Sequence, residues 1–215
     1  MKPAVLIISG WAHGLDAIQP MGDWLADRFE VQLLTGAQVL KDRSLPEADY
    51  IVTGSMGGLL AMELLPKSCQ KLVLMSSTAK FCAGEGYPCG THEKIILRMI
   101  LQLQRNPEAV LAEFYKNVHH PHPALKTDPG CSHDELVAGL EYLRTSDVRE
   151  KIPGLNIPVL LLHGEQDRII PSAAAEWLHQ HLPNSRLQVF ENGGHALPAH
   201  QFEPVMQSVR SFLQD

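Results

Sequence analysis

Tyr50-Ile51-Val52-Thr53-Gly54-Ser55-Met56-Gly57-Gly58-Leu59-Leu60-Ala61-Met62 is the stretch on which the reading of this chain turns. It predicts a short apolar strand, a turn crowded with small residues, and a helix rich in Leu, Ala and Met. A strand-turn-helix of this kind holds its corner residue on a sharp, often strained bend with the side chain above the sheet. Ser55 occupies that corner. A bulky residue at 57 or 58 would collide with the strand or keep the helix away from it. The helix N-terminus behind the turn presents free N–H groups and the positive end of the helix dipole to any developing negative charge. Against the pattern Gly-x-Ser-x-Gly, the first glycine is replaced by Thr53 and an additional glycine stands at 54. Alone, the turn also suits an ordinary strand–helix loop or a phosphate cradle. The meaning of Ser55 therefore depends on whether an acid and a base stand later in the chain.

Working outward, residues 4–9 form a continuous apolar run, as a strand buried on both faces should. Asp16 is expected to cap a helix through about Phe29, with Ile18, Met21, Trp24 and Leu25 at helical spacing. Residues 30–35 read as a second strand, and 36–49 leave room for at most a brief helix. After the elbow helix, to about Leu65, residues 71–76 form a further buried strand. The alternation then breaks. Residues 78–151 contain no clear strand but helices near 92–105, 107–118 and 133–144, with a His/Pro-rich link over 119–129. Strands resume at 157–163 and 187–190, separated by a helix near 172–182 and followed by one over 204–212. The simplest architecture is a mostly parallel sheet of about six strands flanked by helices, with core 1–77 and 152–215 interrupted by a helical lid at 78–151.

Composition narrows the classes. A hydrophobic content of 45% over 215 residues supports a full core, and 20% charged residues is ordinary for a globular domain. The net charge of -6 argues against non-specific nucleic-acid binding, which needs a cationic surface. No apolar run approaches the ~20 residues of a membrane span. Met1-Lys2-Pro3 leads directly into the first strand rather than a secretory segment. Cys69, Cys82, Cys89 and Cys131 show no C-x-x-C spacing, so reduced thiols in a cytoplasmic protein are expected.

Two further loops give Ser55 its partners. Asp167 lies just past the strand ending at His163, and His195 comes after Gly193-Gly194, beyond the last strand. Both fall at C-terminal strand ends, where open α/β sheets gather site residues. Ser55, Asp167 and His195 thus run in the Ser…Asp…His order of the α/β-hydrolases, whose elbow the stretch at 53–57 resembles. In that chemistry Ser attacks, His moves the proton, and Asp fixes the imidazole tautomer. The backbone N–H groups of Met56 and Trp11, the latter in the turn after the first strand, are the candidate oxyanion hole, and the Trp11 side chain is a candidate wall beside the scissile ester. This chemistry needs neither metal nor organic cofactor. An Asp after a strand is also a common helix cap, and a His in a glycine-rich loop is often idle. The combination of three is what favours catalysis.

Gly10-Trp11-Ala12, the elbow with Gly57-Gly58, the Asp167 and His195 segments, 76–82 and Gly139-Leu140-Glu141-Tyr142-Leu143-Arg144-Thr145-Ser146-Asp147-Val148-Arg149 together resemble the pimeloyl-[acyl-carrier protein] methyl ester esterases of biotin synthesis. The resemblance covers most of the chain. It implies an α/β-hydrolase fold, a serine carboxylesterase mechanism with Ser55 as nucleophile, His195 as base and Asp167 as orienting acid, and an acyl substrate on an acidic carrier protein. It also implies an aromatic from the lid along the acyl channel, for which Phe114 or Tyr115 are the candidates.

Family lids grip the carrier through basic residues. Here residues 81–150 hold Lys94, Arg98, Arg105, Lys116, Lys126, Arg144 and Arg149 against ten Asp and Glu. At helical spacing Lys94, Arg98 and Arg105 share one stripe, with Ile95, Ile96, Met99, Ile100 and Leu103 expected opposite. An ordinary solvated face fits the same stripe. His119-His120-Pro121-His122 lacks a completing Cys or carboxylate set and reads as a flexible lid loop rather than a metal site. Two alternatives stay open: a generic short-chain carboxylesterase or thioesterase with the same triad, and a non-catalytic binding protein in which Thr53 spoils the elbow.

Overall fold

The computed structural model describes residues 2–125 and 127–215; Met1 and the cation Lys126 lie outside the described residues. Six strands, β1 (Ala4–Ile8), β2 (Glu30–Leu34), β3 (Tyr50–Gly54), β4 (Lys71–Met75), β5 (Val159–Gly164) and β6 (Ser185–Phe190), form one sheet in the order β2-β1-β3-β4-β5-β6. Every pairing is parallel. The chain reverses direction of build between β1 and β3, so the loops after these two neighbouring strands open a crevice at the carboxyl edge.

The side-chain period of two splits each central strand between two cores. Leu6, Ile8, Ile51, Leu72, Leu74 and Leu161 point to one face, where α2 (Gly36–Asp42), α3 (Met56–Leu64) and α7 (Ser172–His181) pack. Val5, Ile7, Val52, Val73, Leu160 and Leu162 point to the other, covered by α1 (Gln19–Leu25) and α9 (Phe202–Gln214). Burial on both faces is why β1, β3, β4 and β5 read as unbroken apolar runs, whereas the edge strands β2 and β6 are only partly buried.

Between β4 and β5 the chain forms α4 (Glu93–Leu103), α5 (Pro107–His119) and α6 (His133–Thr145). The two ends of this excursion meet at an antiparallel bridge between Lys80 and Asp147, reinforced by the Val148 N–H donating to the Ala79 carbonyl at 2.9 Å. The Lys80 ammonium also lies 2.8 Å from Asp147 Oδ2.

Some sequence expectations shift. Asp16 caps no helix. It sits inside a short 3-10 turn over Leu15–Ala17, and α1 begins at Gln19 because Pro20, lacking an N–H, belongs in a first turn. The helix ends at Leu25 rather than reaching Phe29. The brief helix allowed within 36–49 is α2, started by a full capping box between Thr35 and Gln38. A single extra turn, α8 (Leu197–His200), precedes α9. All four cysteines are free. No described helix is long and apolar enough to cross a membrane.

Candidate active site

The elbow has the strained geometry its sequence predicts. Ser55 stands at φ 52° and ψ -120° between β3 and α3, a conformation that costs an L-residue on the order of 1–3 kcal/mol unless its surroundings impose it. Two hydrogen bonds do so: the Ser55 N–H donates to the Met75 carbonyl at 2.9 Å, and Ser77 Oγ donates to the Ser55 carbonyl at 2.7 Å. A Cβ at residue 57 would stand 2.8 Å from the Ser9 carbonyl oxygen, and one at residue 58 would overlap Ser77 Oγ. Thr53 does not spoil the turn. It is wholly buried within β3, and its hydroxyl donates to the Val73 carbonyl of β4 at 3.1 Å.

His195 and Asp167 meet directly, with His195 Nδ1 2.7 Å from Asp167 Oδ2. The second carboxylate oxygen accepts the backbone N–H groups of Ile169 and Ile170 at 2.8 and 2.9 Å. Burial by itself would raise the Asp167 pKa, but the adjacent His195, with His163 and the Ile170 N–H, outweighs it and holds the group below the usual carboxylate value. Ser76 Oγ donates to the His195 carbonyl at 2.8 Å, tying the histidine loop to the end of β4. Among the described residues the Ser55 hydroxyl makes no hydrogen bond, but Ser55 and His195 line one cavity.

The loop after β1 supplies the opposite wall. Gly10 lets the two segments approach closely there, since a Cβ would stand 3.1 Å from Ser55 Cβ. Among the described residues neither the Trp11 nor the Met56 backbone N–H has a hydrogen-bond partner. The Trp11 indole donates to the Leu136 carbonyl at 2.8 Å and meets Phe114 edge-on at 4.7 Å. Trp11, Ser55 and Phe114 line a cavity of about 1040 Å³ beneath α4 and α5, whose other walls include Phe81, Leu140 and Leu143. Tyr115 lines neither this cavity nor the one shared with His195. It is buried, and its hydroxyl donates to the Ala12 carbonyl at 2.6 Å. Because Ala12 is itself held at φ 54°, Tyr115 pins the loop that carries Trp11 and lines neither of the two cavities.

Lys94, Arg98 and Arg105 all line the large cavity and, among the described residues, form no ion pair. The other described cations of residues 81–150 are engaged: Lys116 with Glu113, Arg144 with Glu93 and Glu141, Arg149 with Asp147. Ile96, Ile100 and Leu103 pack inward as expected, but Ile95 is 52% exposed. It lies on the cavity side of the cationic stripe, about a quarter-turn from the buried face.

The His/Pro segment is not a free loop. His119 ends α5, is 3% exposed, and places Nδ1 2.9 Å from His200 Nε2, while His122 stacks on His200. Sequence reading also missed His13 and His163. His13 is pushed down to about 4 by burial and lies near both His195 and His119. His163 Nε2 lies 3.7 Å from Asp167 Oδ2 and 3.0 Å from the Ile170 carbonyl oxygen. His163 had a signal in its position at a strand's C-terminal end. His13 and His119 had none, because only the folded chain brings them together.

A parallel sheet with an elbow after β3, an Asp–His pair after β5 and β6, and a helical insertion after β4 defines an α/β-hydrolase. Residues 21–201 match the family "Serine aminopeptidase, S33". A pimeloyl-[acyl-carrier protein] methyl ester esterase of Nitrosomonas europaea is 30% identical, over 90% of this chain and 89% of its own length. One of Aromatoleum aromaticum is 29% identical over 91% and 92%. Among solved structures, an esterase from Exiguobacterium antarcticum superposes with a TM-score of 0.82 at 20% identity, covering 99% of this chain and 92% of that one. The chain belongs to the serine aminopeptidase S33 family and to the family of the pimeloyl-[acyl-carrier protein] methyl ester esterases. It is a hydrolase acting on esters.

Proposed function

We propose that Ser55, His195 and Asp167 are the catalytic triad of a serine carboxylesterase, and that the Trp11 and Met56 N–H groups bind the oxyanion. The observation that carries this reading is the 2.7 Å His195–Asp167 hydrogen bond on a cavity wall shared with the strained Ser55. His195 Nε2 removes the Ser55 proton as Oγ attacks the ester carbonyl. The same proton then passes to the departing alcohol oxygen, leaving an acyl-enzyme. Water, deprotonated by His195, attacks the acyl carbon and releases the acid, and Ser55 regains its proton. Asp167 stays ionised, consistent with its lowered pKa. Each oxyanion donor contributes ~3 kcal/mol of transition-state stabilisation. Ser55 and His195 close to bonding distance when substrate fills the site, as catalytic hydrogen bonds in empty enzymes commonly do.

The substrate is read as an acyl-carrier-protein methyl ester, with a role in biotin synthesis. Residues 78–151 act as the lid, and the large cavity holds the acyl chain against Trp11 and Phe114. Lys94, Arg98 and Arg105, which line that cavity without an ion pair among the described residues, are the contacts for an acidic carrier protein. A fluorophosphonate probe should label the wild-type protein but not Ser55→Ala. Complementation of a biotin auxotroph lacking its own esterase then distinguishes the carrier-bound methyl ester from generic short-chain esters. Labelling that survives in Ser55→Ala would remove the triad assignment.

A further inference from the structure

His195 stands on a loop that its own sequence leaves loose. Gly193 and Gly194 precede it, and glycine gives a backbone its widest freedom and its largest cost of ordering. The sheet fastens part of this loop. The Gln166 N–H donates to the Gly193 carbonyl at 2.8 Å, and Ser76 Oγ donates to the His195 carbonyl at 2.8 Å. Further contacts come from the end of α5, in the insertion. The Ala196 N–H donates to the Val118 carbonyl at 3.1 Å. Gly194 lies so close to the His120 carbonyl that an added Cβ would overlap its oxygen. At the end of α8, His200 places Nε2 2.9 Å from His119 Nδ1, and its ring stacks on His122 at 4.3 Å.

These contacts bracket the histidine, at 194 on one side and at 196 and 200 on the other. Burial lowers the pKa of both His119 and His200, that of His119 to about 4, so both rings are neutral and one donates to the other. Gly194 has no left-handed backbone; the approach of the His120 carbonyl, not a turn, is what excludes a side chain there. Neither Gly194 nor His200 lines either cavity. What they can set is where His195 stands.

We propose that the end of α5 positions the catalytic base, with Gly194 and His200 as the positioning residues through which residues 118–120 hold the His195 imidazole against Asp167 and beside Ser55. The insertion is then part of the catalytic apparatus and not only a cover. Its α6 holds Trp11 through the Leu136 carbonyl, and its α5 holds both Ala12, through Tyr115, and the His195 loop. The same helices clamp the oxyanion loop and the base, so a shift of α5 moves both. The inference rests on the triad reading and adds what aligns its base.

The test is steady-state hydrolysis of p-nitrophenyl acetate by His200→Ala, His200→Gln and Gly194→Ala. His200→Ala should lower kcat by about tenfold and Gly194→Ala by about a hundredfold, the latter the scale of a ~1 Å misplacement at a catalytic group. KM should stay at the wild-type value, since neither residue lines a cavity. His200→Gln, whose amide reaches about as far as the imidazole Nε2, should recover most of the loss. Val209→Ala, a truncation in the core beneath α9, should lower the melting temperature and leave kcat unaltered. Wild-type kcat in both His200→Ala and Gly194→Ala would overturn this inference and leave the triad standing. So would a loss carried by KM, an equal loss in Val209→Ala, or no recovery in His200→Gln. Absence of turnover in the wild type would overturn both readings. If Gly194→Ala does not fold, the His200 series alone decides.

Discussion

Gly139 of α6 lies flat against the Trp11 indole, so close that a Cβ at 139 would overlap Trp11 Cδ1. The indole N–H meanwhile donates to the Leu136 carbonyl of the same helix. A helix of the insertion thus holds the residue whose backbone is assigned to the oxyanion hole. Gly139→Ala should displace Trp11, lowering kcat by about tenfold and stability by roughly 1–3 kcal/mol, the usual cost of overpacking. An unchanged kcat in purified Gly139→Ala would show that Trp11 does not set the hole.

Asp167→Asn keeps the shape of the pair but cannot accept from His195 Nδ1–H through an anionic oxygen. It should lower kcat by about 10³–10⁴ with little change in KM, since the imidazole is left in the wrong tautomer. A loss confined to KM in steady-state kinetics would contradict the assigned role.

Phe114 and Tyr115 are neighbours with separable duties. Phe114→Ala should raise KM for long-chain p-nitrophenyl esters more than for the acetate, because Phe114 lines the larger cavity, which is proposed to hold the acyl chain. Tyr115→Phe removes the hydroxyl that holds the Ala12 carbonyl and should lower kcat for all chain lengths alike. The reverse pattern would exchange their roles.

The elbow glycine can be tested by compensation. Gly58→Ala meets Ser77 Oγ and should cost roughly 1–3 kcal/mol in urea unfolding. Adding Ser77→Gly should recover part of that loss, although it also deletes the hydrogen bond to the Ser55 carbonyl. Strictly additive losses would mean that the two sites do not touch.

Stability should fall on mild acidification. His13 and His119 are held near 4 in the folded protein, chiefly by burial, and His163 is lowered for the same reason. Once unfolded they titrate near ~6.5. As pH drops from above that value towards 4, the unfolded chain takes up protons that the folded chain refuses, so folding weakens across this window and is fully supported above it. Between pH 7.5 and 5 the loss should be on the order of 1–2 kcal/mol for each of His13 and His119. His119→Asn should flatten the profile, and a flat profile in the wild type would refute the burial argument.

The order Ser55…Asp167…His195, the all-apolar central strands and the helical break after β4 were legible in the chain, because each is a local pattern of residue type and period. The strained turn at Ser55 was equally local, since Gly57 and Gly58 announce where a strand and a helix must nearly touch. What only the tertiary structure decided was which side chains face a common space. Tyr115 and Phe114 are adjacent in sequence, yet a helical step of about 100° turns one to a strained loop and the other to a cavity. His13, His119 and His200 carry no shared spacing; His119 and His200 touch only because the end of α5 and α8 converge, and the loop after β1 brings His13 near His119. Local sequence fixes backbone form through sterics and periodicity, while the partners of a buried polar atom depend on packing between segments far apart in the chain.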